Sequence, residues 1–256
     1  MLEGLYAGAI ADAASREDAL SFSAIKKLVD AASPSLNAIE FLSPANHIKV
    51  LAEVKRASPS RGDLAEIANP AELAATYAAA GASTISVLTE ERRFKGSLAD
   101  LRAVRAAVDV PVLRKDFIAN EYQVLEARAA GADLVLLIVA GIEGKLLERL
   151  KKLIEELGMT AFVETHNADE VKYAIDIDTK LLGVNARDLS TFETDRNLFA
   201  SLSHLIPAGV IKVAESAVRG VEDVRHYREA GADIVLVGEA LVTGDPVQLL
   251  KEFAAI

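Results

Sequence analysis

RAAGADLVLLI, residues Arg128–Ile138, joins the end of one structural element to the start of another. Its first half is Ala-rich and helical in character. Gly131 follows where a helix would stop, and an apolar run starts almost at once. A glycine just past a helix takes the left-handed cap conformation without a Cβ penalty. The same joint recurs as AAAGASTISVL at Ala78–Leu88 and as REAGADIVLVG at Arg228–Gly238. Recurrence of a helix–glycine–strand joint identifies a repeating βα unit with short αβ loops.

The remaining apolar runs extend this repeat along the chain. They predict strands near 48–55, 83–88, 111–115, 133–138, 160–164, 180–185, 210–215 and 233–238. Helical patterns lie near 70–80, 97–108, 121–130, 143–157, 167–176, 195–203, 219–230 and 246–254. Near-continuous Val, Leu, Ile and Ala in the strands means both faces are covered, as in a parallel sheet. Alternating units at this density predict one closed (β/α)8 barrel, the TIM-barrel architecture, over an open doubly wound sheet. Residues 1–45 read as two short helices and a Pro-containing connector. This N-terminal helical extension is expected to cap the barrel or fold over its mouth. The whole of 1–256 reads as a single barrel domain.

Composition narrows the function. The 51% hydrophobic content supplies a substantial core, and 15 glycines with 7 prolines are too few for a disordered chain. A formal charge of −10 argues against nucleic acid and anionic membrane as main partners. It leaves room for an anionic small molecule, because local lysines and backbone N–H groups can override the global field. The chain has no cysteine, which removes disulfides, thiolate catalysis and cysteine-ligated metal centres. The start, MLEGLYAGAIADAAS, lacks the basic region of a secretory signal. The longest apolar run, Leu134–Ile142, is far short of a membrane span. These features read as a cytoplasmic protein, and nothing in them demands a partner subunit, so a monomer is expected.

The apolar runs end in chemistry. LAEVK closes on Glu53 and Lys55, PVLRK on Lys115, TAFVE on Glu164, LLGVN on Asn185, IKVAES on Glu215 and Ser216, and DIVLVGE on Gly238 and Glu239. A buried strand gains nothing from a charge without a partner or a task. Polar residues at the same end of successive parallel strands share one mouth, which in this architecture is the active site. Glu53 and Lys55 are two apart and face the same side. An internal salt bridge that merely fills the barrel is an equal reading of that pair taken alone. Arg114 and Lys115 point opposite ways, so one charge faces inward and the other the helical shell. A lysine held near other cations would be a better proton donor at neutral pH. Glu164, across the barrel from the first strand, could face Lys55. Asn185 and Arg187 share a face and could present an amide and a guanidinium to an anion.

The loops after the seventh and eighth strands, around Ser216-Ala217 and Gly238-Glu239, match the usual phosphate position of such barrels. Ser58-Pro59-Ser60 could add hydroxyls, although Ser-Pro-Ser is usually just a turn. No dinucleotide or P-loop glycine motif occurs. The four histidines show no metal spacing, and His166, the one near a strand end, reads as a surface or loop residue.

Taken in order, EVKRASPS at 53–60, SVLTE at 86–90, FKGS at 94–97, LRKDFI at 113–118, LLIV at 136–139, VE at 163–164, GVNARDL at 183–189, AES at 214–216 and VGEAL at 237–241 resemble indole-3-glycerol phosphate synthases. The resemblance runs through the whole barrel, about 48–245, with weaker support in the first 45 residues. It implies ring closure, decarboxylation and dehydration of 1-(2-carboxyphenylamino)-1-deoxyribulose 5-phosphate in tryptophan biosynthesis, with no cofactor and no metal. It implies Lys115 as general acid, Glu164 as its acid/base counterpart, and Lys55 as the grip on the substrate carboxylate. Glu53, Asn185 and Glu215 would orient substrate hydroxyls and the lysines. Arg187 would help close the site. Phe94, Phe117, Leu136 and Leu189 would form the slot for the aromatic ring. Ser58, Ser216, Ala217, Gly238 and Glu239 would anchor the phosphate.

The chain departs from the family pattern at Ala217, where glycine is usual, and at Ala186, where many relatives carry a polar residue. If position 217 needs φ > 0, alanine there costs roughly 1 kcal/mol of strain. The alternatives are a phosphoribosylanthranilate isomerase-like barrel and a catalytically idle sugar-phosphate-binding barrel. The first would use a Cys–Asp pair that a cysteine-free chain cannot supply. The second sits poorly with intact Lys55, Lys115 and Glu164.

Overall fold

The protein is described here by a computed structural model, over residues 2–188 and 191–256. Three helices come first: α1 (Leu2–Ala19), α2 (Phe22–Ala31) and α3 (Ala38–Leu42). β1 (Lys49–Val54) then leads through a small hairpin, β2 (Ala57–Ser58) and β3 (Gly62–Asp63), into α4 (Pro70–Ala79). β4 (Thr84–Leu88), α5 (Leu98–Ala107), β5 (Val112–Lys115), α6 (Glu121–Ala129), β6 (Leu134–Ile138) and α7 (Gly144–Glu156) continue the alternation. It runs on through β7 (Thr160–Thr165), α8 (Ala168–Asp176), β8 (Leu181–Asn185) and α9 (Leu198–Leu202). It ends with β9 (Ile211–Glu215), α10 (Val221–Glu229), β10 (Ile234–Val237), α11 (Glu239–Thr243) and α12 (Pro246–Phe253). β1 pairs in parallel with β4, each later strand pairs with the next, and β10 returns to β1. The sheet is a closed eight-stranded barrel, as expected.

The joints that identified the repeat have the predicted backbone. Gly81, Gly131 and Gly231 follow α4, α6 and α10 with φ of 109°, 88° and 91°. Helices start on polar caps: Asn69, Ser97, Asn120, Asn167 and Asp245 each accept backbone N–H groups of the helix they precede.

Pleat parity divides the core. Leu51, Leu113, Leu136, Phe162, Val213 and Leu236 come from six strands yet pack together, which places them inside the barrel. Their neighbours Val50, Ala52, Val112, Val135, Val163 and Val235 pack in the layer under the helices. Side chains of the first parity at the strand ends therefore point into the mouth.

The N-terminal segment differs from expectation. It holds three helices, and α1 is a single helix of 18 residues. It wraps the barrel from end to end. Leu5, Tyr6 and Ala9 of α1 pack with Phe117 and Ile138 at the mouth. Ile25 and Val29 of α2 pack on Tyr122 and Leu125 of α6 along the side. Ala38 and Leu42 of α3 join the interior cluster, and the Phe41 carbonyl accepts Lys49 Nζ (2.6 Å) at the base of β1. Gly141 makes the upper contact possible, since a Cβ there would lie 2.0 Å from the Tyr6 ring.

Arg114 does face the helical shell, where it is fully buried. Its guanidinium donates to Thr89 Oγ1 (3.1 Å), the Gln123 carbonyl (2.7 Å) and Asp116 Oδ2 (3.0 Å), and lies 3.3 Å from Glu126 Oε2. Arg16 of α1 also pairs with Glu126. Asp116 Oδ1 accepts the Phe117 N–H (2.8 Å), so the network holds both neighbours of Lys115. Arg114→Met would leave Asp116 and Glu126 short of their common cation. Loss of one partner from a buried ion network costs about 3–5 kcal/mol. Urea unfolding is expected to show a loss of that size, and a loss below about 1 kcal/mol would mean the network is dispensable.

Candidate active site

Every predicted site residue within the described stretches lines one cavity of about 540 Å³ at the C-terminal ends of the strands. Leu189 lies outside the described residues. Lys115 Nζ stands at the centre, 3.1 Å from Glu215 Oε2 and 3.3 Å from Glu164 Oε2. Lys55 Nζ is held by Glu53 Oε1 at 2.6 Å. Glu164 therefore faces Lys115, while Lys55 is engaged by the acid two residues before it. The internal salt bridge exists, and both of its members line the cavity.

The electrostatics reverse one expectation. Lys115 is surrounded by acids, where cations were anticipated. Burial alone would lower its pKa, but Glu215, Glu164 and Glu53 together hold it well above the ordinary lysine value. The acids around it favour its ammonium form. Burial opposes the charge on Glu53 and on Glu164, and lysines overcome it in both cases. Lys55 and Lys115 draw Glu53 below the usual carboxylate range, and Lys115, His166 and Asn185 draw Glu164 far below it. Glu215 goes the other way. Burial, then the nearby Glu164 charge, push it up to about 8 despite Lys115.

Asn185 orients the rim. Its Nδ2 donates to Glu164 Oε1 (3.1 Å), and its Oδ1 accepts the Ser216 hydroxyl (2.7 Å) and the Arg187 N–H (3.0 Å). Arg187 reaches across the mouth and donates to Ser60 Oγ at 2.8 Å. The Ser-Pro-Ser stretch is thus a turn, as its composition says, and also the far anchor of that bridge. On the aromatic side, Phe94 and Phe117 sit 6.2 Å apart with rings tilted by 47°, and Tyr6 meets Phe117 edge-on at 5.5 Å. Glu90 shapes the Phe94 loop by accepting the N–H groups of Arg92, Arg93 and Phe94.

The loop after β9 carries the strain that the sequence implied. Ser216 and Ala217 both have positive φ, 68° and 58°. Two consecutive left-handed residues turn the chain sharply at the end of β9. Gly238 serves by lacking a side chain: a Cβ there would lie 2.5 Å from Glu53 Oε1 and 2.9 Å from Lys55 Nζ. Gly183 likewise leaves room for Glu215 Oε1, 2.2 Å from where its Cβ would stand. Glu239 pairs through its side chain with Arg61 at 2.8 Å.

His166 lies in the loop between β7 and α8, as read, but it is tucked against the site. Its side chain is 13% exposed, with Nε2 3.3 Å from Glu164 Oε1 and Nδ1 3.3 Å from Glu170 Oε2. Arg61, Glu90 and Tyr6 were also missed. Glu90 sat unassigned inside a quoted motif. Tyr6 and Arg61 had no local signal, because only the closed barrel brings them to the rim.

A closed parallel barrel whose strand ends present two lysines, three carboxylates and a left-handed backbone turn after β9 suits chemistry on an anionic, phosphorylated small molecule. Comparisons with known proteins make this specific. The indole-3-glycerol phosphate synthase pattern matches residues 2–253. The indole-3-glycerol phosphate synthase of Leifsonia xyli is 62% identical over 256 residues, covering 100% of this chain and 98% of that one. That of Beutenbergia cavernae is 56% identical, covering 100% of this chain and 95% of that one. Among solved structures, the N-acetylmannosamine-6-phosphate 2-epimerase of Clostridium perfringens superposes with a TM-score of 0.61 at 14% identity, covering 88% of this chain and 99% of that one. That likeness shows the fold alone. The chain belongs to the indole-3-glycerol phosphate synthase family, and its activity is that of a carboxy-lyase in tryptophan biosynthesis.

Two substitutions test the geometry. Gly238→Ala drives a methyl group into the Glu53–Lys55 pair, so turnover is expected to fall at least tenfold with the circular dichroism spectrum retained, about the effect of a misplaced positioning group. Unchanged turnover would show that the pair tolerates displacement. Ala217→Gly relieves left-handed strain of about 1 kcal/mol. It is expected to lower KM for the phosphorylated substrate without raising kcat, and an unchanged KM would show that the strain does not reach the substrate.

Proposed function

We propose that the residues of this cavity divide the three steps of indole-3-glycerol phosphate formation among them. The ring carbon bearing the carboxylate attacks the C2 carbonyl of the ribulose chain. Lys115 donates its proton to the developing C2 alkoxide, whose charge a fully ionised ammonium stabilises. Lys55, steadied by Glu53, grips the carboxylate and twists it from the ring plane. CO₂ then departs and leaves its electron pair to the ring. Solvent returns a proton to Lys115; in dehydration the C2 hydroxyl leaves as water with that proton, and ionised Glu164 takes a proton from C1 as the C1–C2 double bond forms. Asn185 and Glu215 orient Glu164, Lys115 and the substrate hydroxyls.

Phe94, Phe117 and Leu136 form the slot for the aromatic ring. Ser58, the Ser216-Ala217 turn and the backbone N–H groups of Gly238 and Glu239 hold the phosphate, and Arg187 closes over it from the β8 side. Remote phosphate binding energy serves the alignment of the reacting carbons. The single observation that supports this division most is the position of Lys115, within 3.3 Å of both Glu164 and Glu215 in a cavity shared with Lys55. All these groups come from one chain, which supports a monomer as the working unit. A cysteine-free acidic chain fits the reducing cytoplasm.

The test is direct. Supplied with 1-(2-carboxyphenylamino)-1-deoxyribulose 5-phosphate, the protein is expected to generate indole fluorescence. Lys115→Ala should lower kcat by roughly 10²–10⁴-fold, the range of a lost general acid, with substrate still bound. Near-normal turnover in that variant would remove Lys115 from its assigned role.

A further inference from the structure

Two carboxylates flank the Lys115 ammonium, yet their surroundings are unequal. Glu164 accepts hydrogen bonds from Lys115 Nζ at 3.3 Å and Asn185 Nδ2 at 3.1 Å, and His166 Nε2 lies 3.3 Å from its Oε1 without hydrogen-bond geometry. Glu215 has Lys115 at 3.1 Å on Oε2, while its buried Oε1 has no hydrogen-bond partner among the described residues. His166 is itself fixed from the far side by α8. Glu170 Oε2 accepts the His166 N–H (2.8 Å) and sits 3.3 Å from Nδ1, and Glu170 Oε1 accepts Asn167 Nδ2 (2.6 Å). The ring lies between two carboxylates, with Nδ1 3.3 Å from Glu170 Oε2 and Nε2 3.3 Å from Glu164 Oε1, the second a charge contact without hydrogen-bond geometry. A positive ring suits both contacts, since a nitrogen lone pair on either side would face a carboxylate oxygen.

We propose that His166 is a positioning residue which, as an imidazolium between Glu164 and Glu170, assigns the negative charge of the Lys115 site to Glu164 and leaves the proton on Glu215. The proposal rests on the division of roles given above, in which Glu164 acts as a base. The charged groups facing Glu164 are Lys115 from β5, Glu53 from β1, Glu215 from β9 and His166 from its own β7 end, with the Tyr6 hydroxyl of α1 nearby. Of these, only Lys115 and His166 favour its ionised form. Lys115 is shared almost equally between the two acids. It cannot choose between them, and His166 contacts only one. The electrostatics agree. Burial disfavours the charged ring, but Glu164 and Glu170 raise His166 to about 10, and Glu164 is lowered while Glu215 is raised.

Two measurements test this. In histidine-labelled enzyme, ¹⁵N NMR is expected to show one imidazolium persisting at pH 8, which His166→Gln removes. An ordinary histidine, with a pKa near 6.5, is neutral there. Second, kcat and KM are measured against pH for the enzyme, His166→Gln and His166→Lys. The glutamine keeps a donor and loses the charge, so the acid limb of kcat is expected to move up by about one unit or more. That is roughly a tenfold loss on the acid side, with KM little changed. The lysine restores a cation and should bring the limb back. A His166→Gln profile lowered evenly at all pH values, or a ring neutral at pH 7, would overturn the proposal. The NMR titration needs no substrate, so it can fail while the wild-type enzyme still makes indole, and absence of indole from wild type would strike the catalytic reading instead.

Discussion

One ammonium organises this active site. Lys115 enters the mouth from β5 with acids from β1, β7 and β9 around it. Withdrawn from water, none of these groups would stay charged alone. Together they hold a charged lysine in the mouth of the barrel. The barrel exists, from this viewpoint, to deliver several strand ends to one point. The pleat sends alternate side chains inward, and the closed sheet sets the distance between them.

The surrounding structure guards that arrangement on both flanks. Outside the barrel, the buried Arg114 network grips Asp116, whose carboxylate in turn holds the Phe117 N–H. Lys115 lies between these two fixed residues. Arg16 ties the same network to α1, the helix that carries Leu5 and Tyr6 to the rim. The N-terminal segment is thus bonded to the strand that bears the central lysine, besides covering the mouth. Inside, glycines make room where side chains would collide: Gly183 for Glu215, and Gly238 for the Glu53–Lys55 pair.

Much of this was legible in the sequence because the repeat is local. Helix, glycine and strand follow within a dozen residues, so Gly81, Gly131 and Gly231 announced their own conformations. Parity arguments placed Glu53 with Lys55 and separated Arg114 from Lys115, because two residues on one strand have a fixed relation. The left-handed turn at Ala217 was anticipated from the glycine usual there. What the sequence hid depends on closure. No spacing rule says that Lys115 meets acids from opposite strands, so its environment was read with the wrong sign. His166 is the loop residue it was read as, but its contact with Glu164 was hidden, because Glu164 and Glu170 bracket the ring only once α8 folds back. The length of α1 was missed since its Ala- and Gly-rich face has weak amphipathic contrast, and its real partners, Phe117 and Gly141, are over a hundred residues away.

A diffraction structure with a substrate analogue whose C2 carbonyl is reduced to an alcohol would test the central claim most directly. The arrangement predicts the C2 oxygen within hydrogen-bond reach of Lys115 Nζ, the carboxylate on Lys55, and the phosphate on the backbone between Ser216 and Glu239. An analogue seated in the same cavity with its phosphate against Lys115, or with C2 remote from it, would contradict the account.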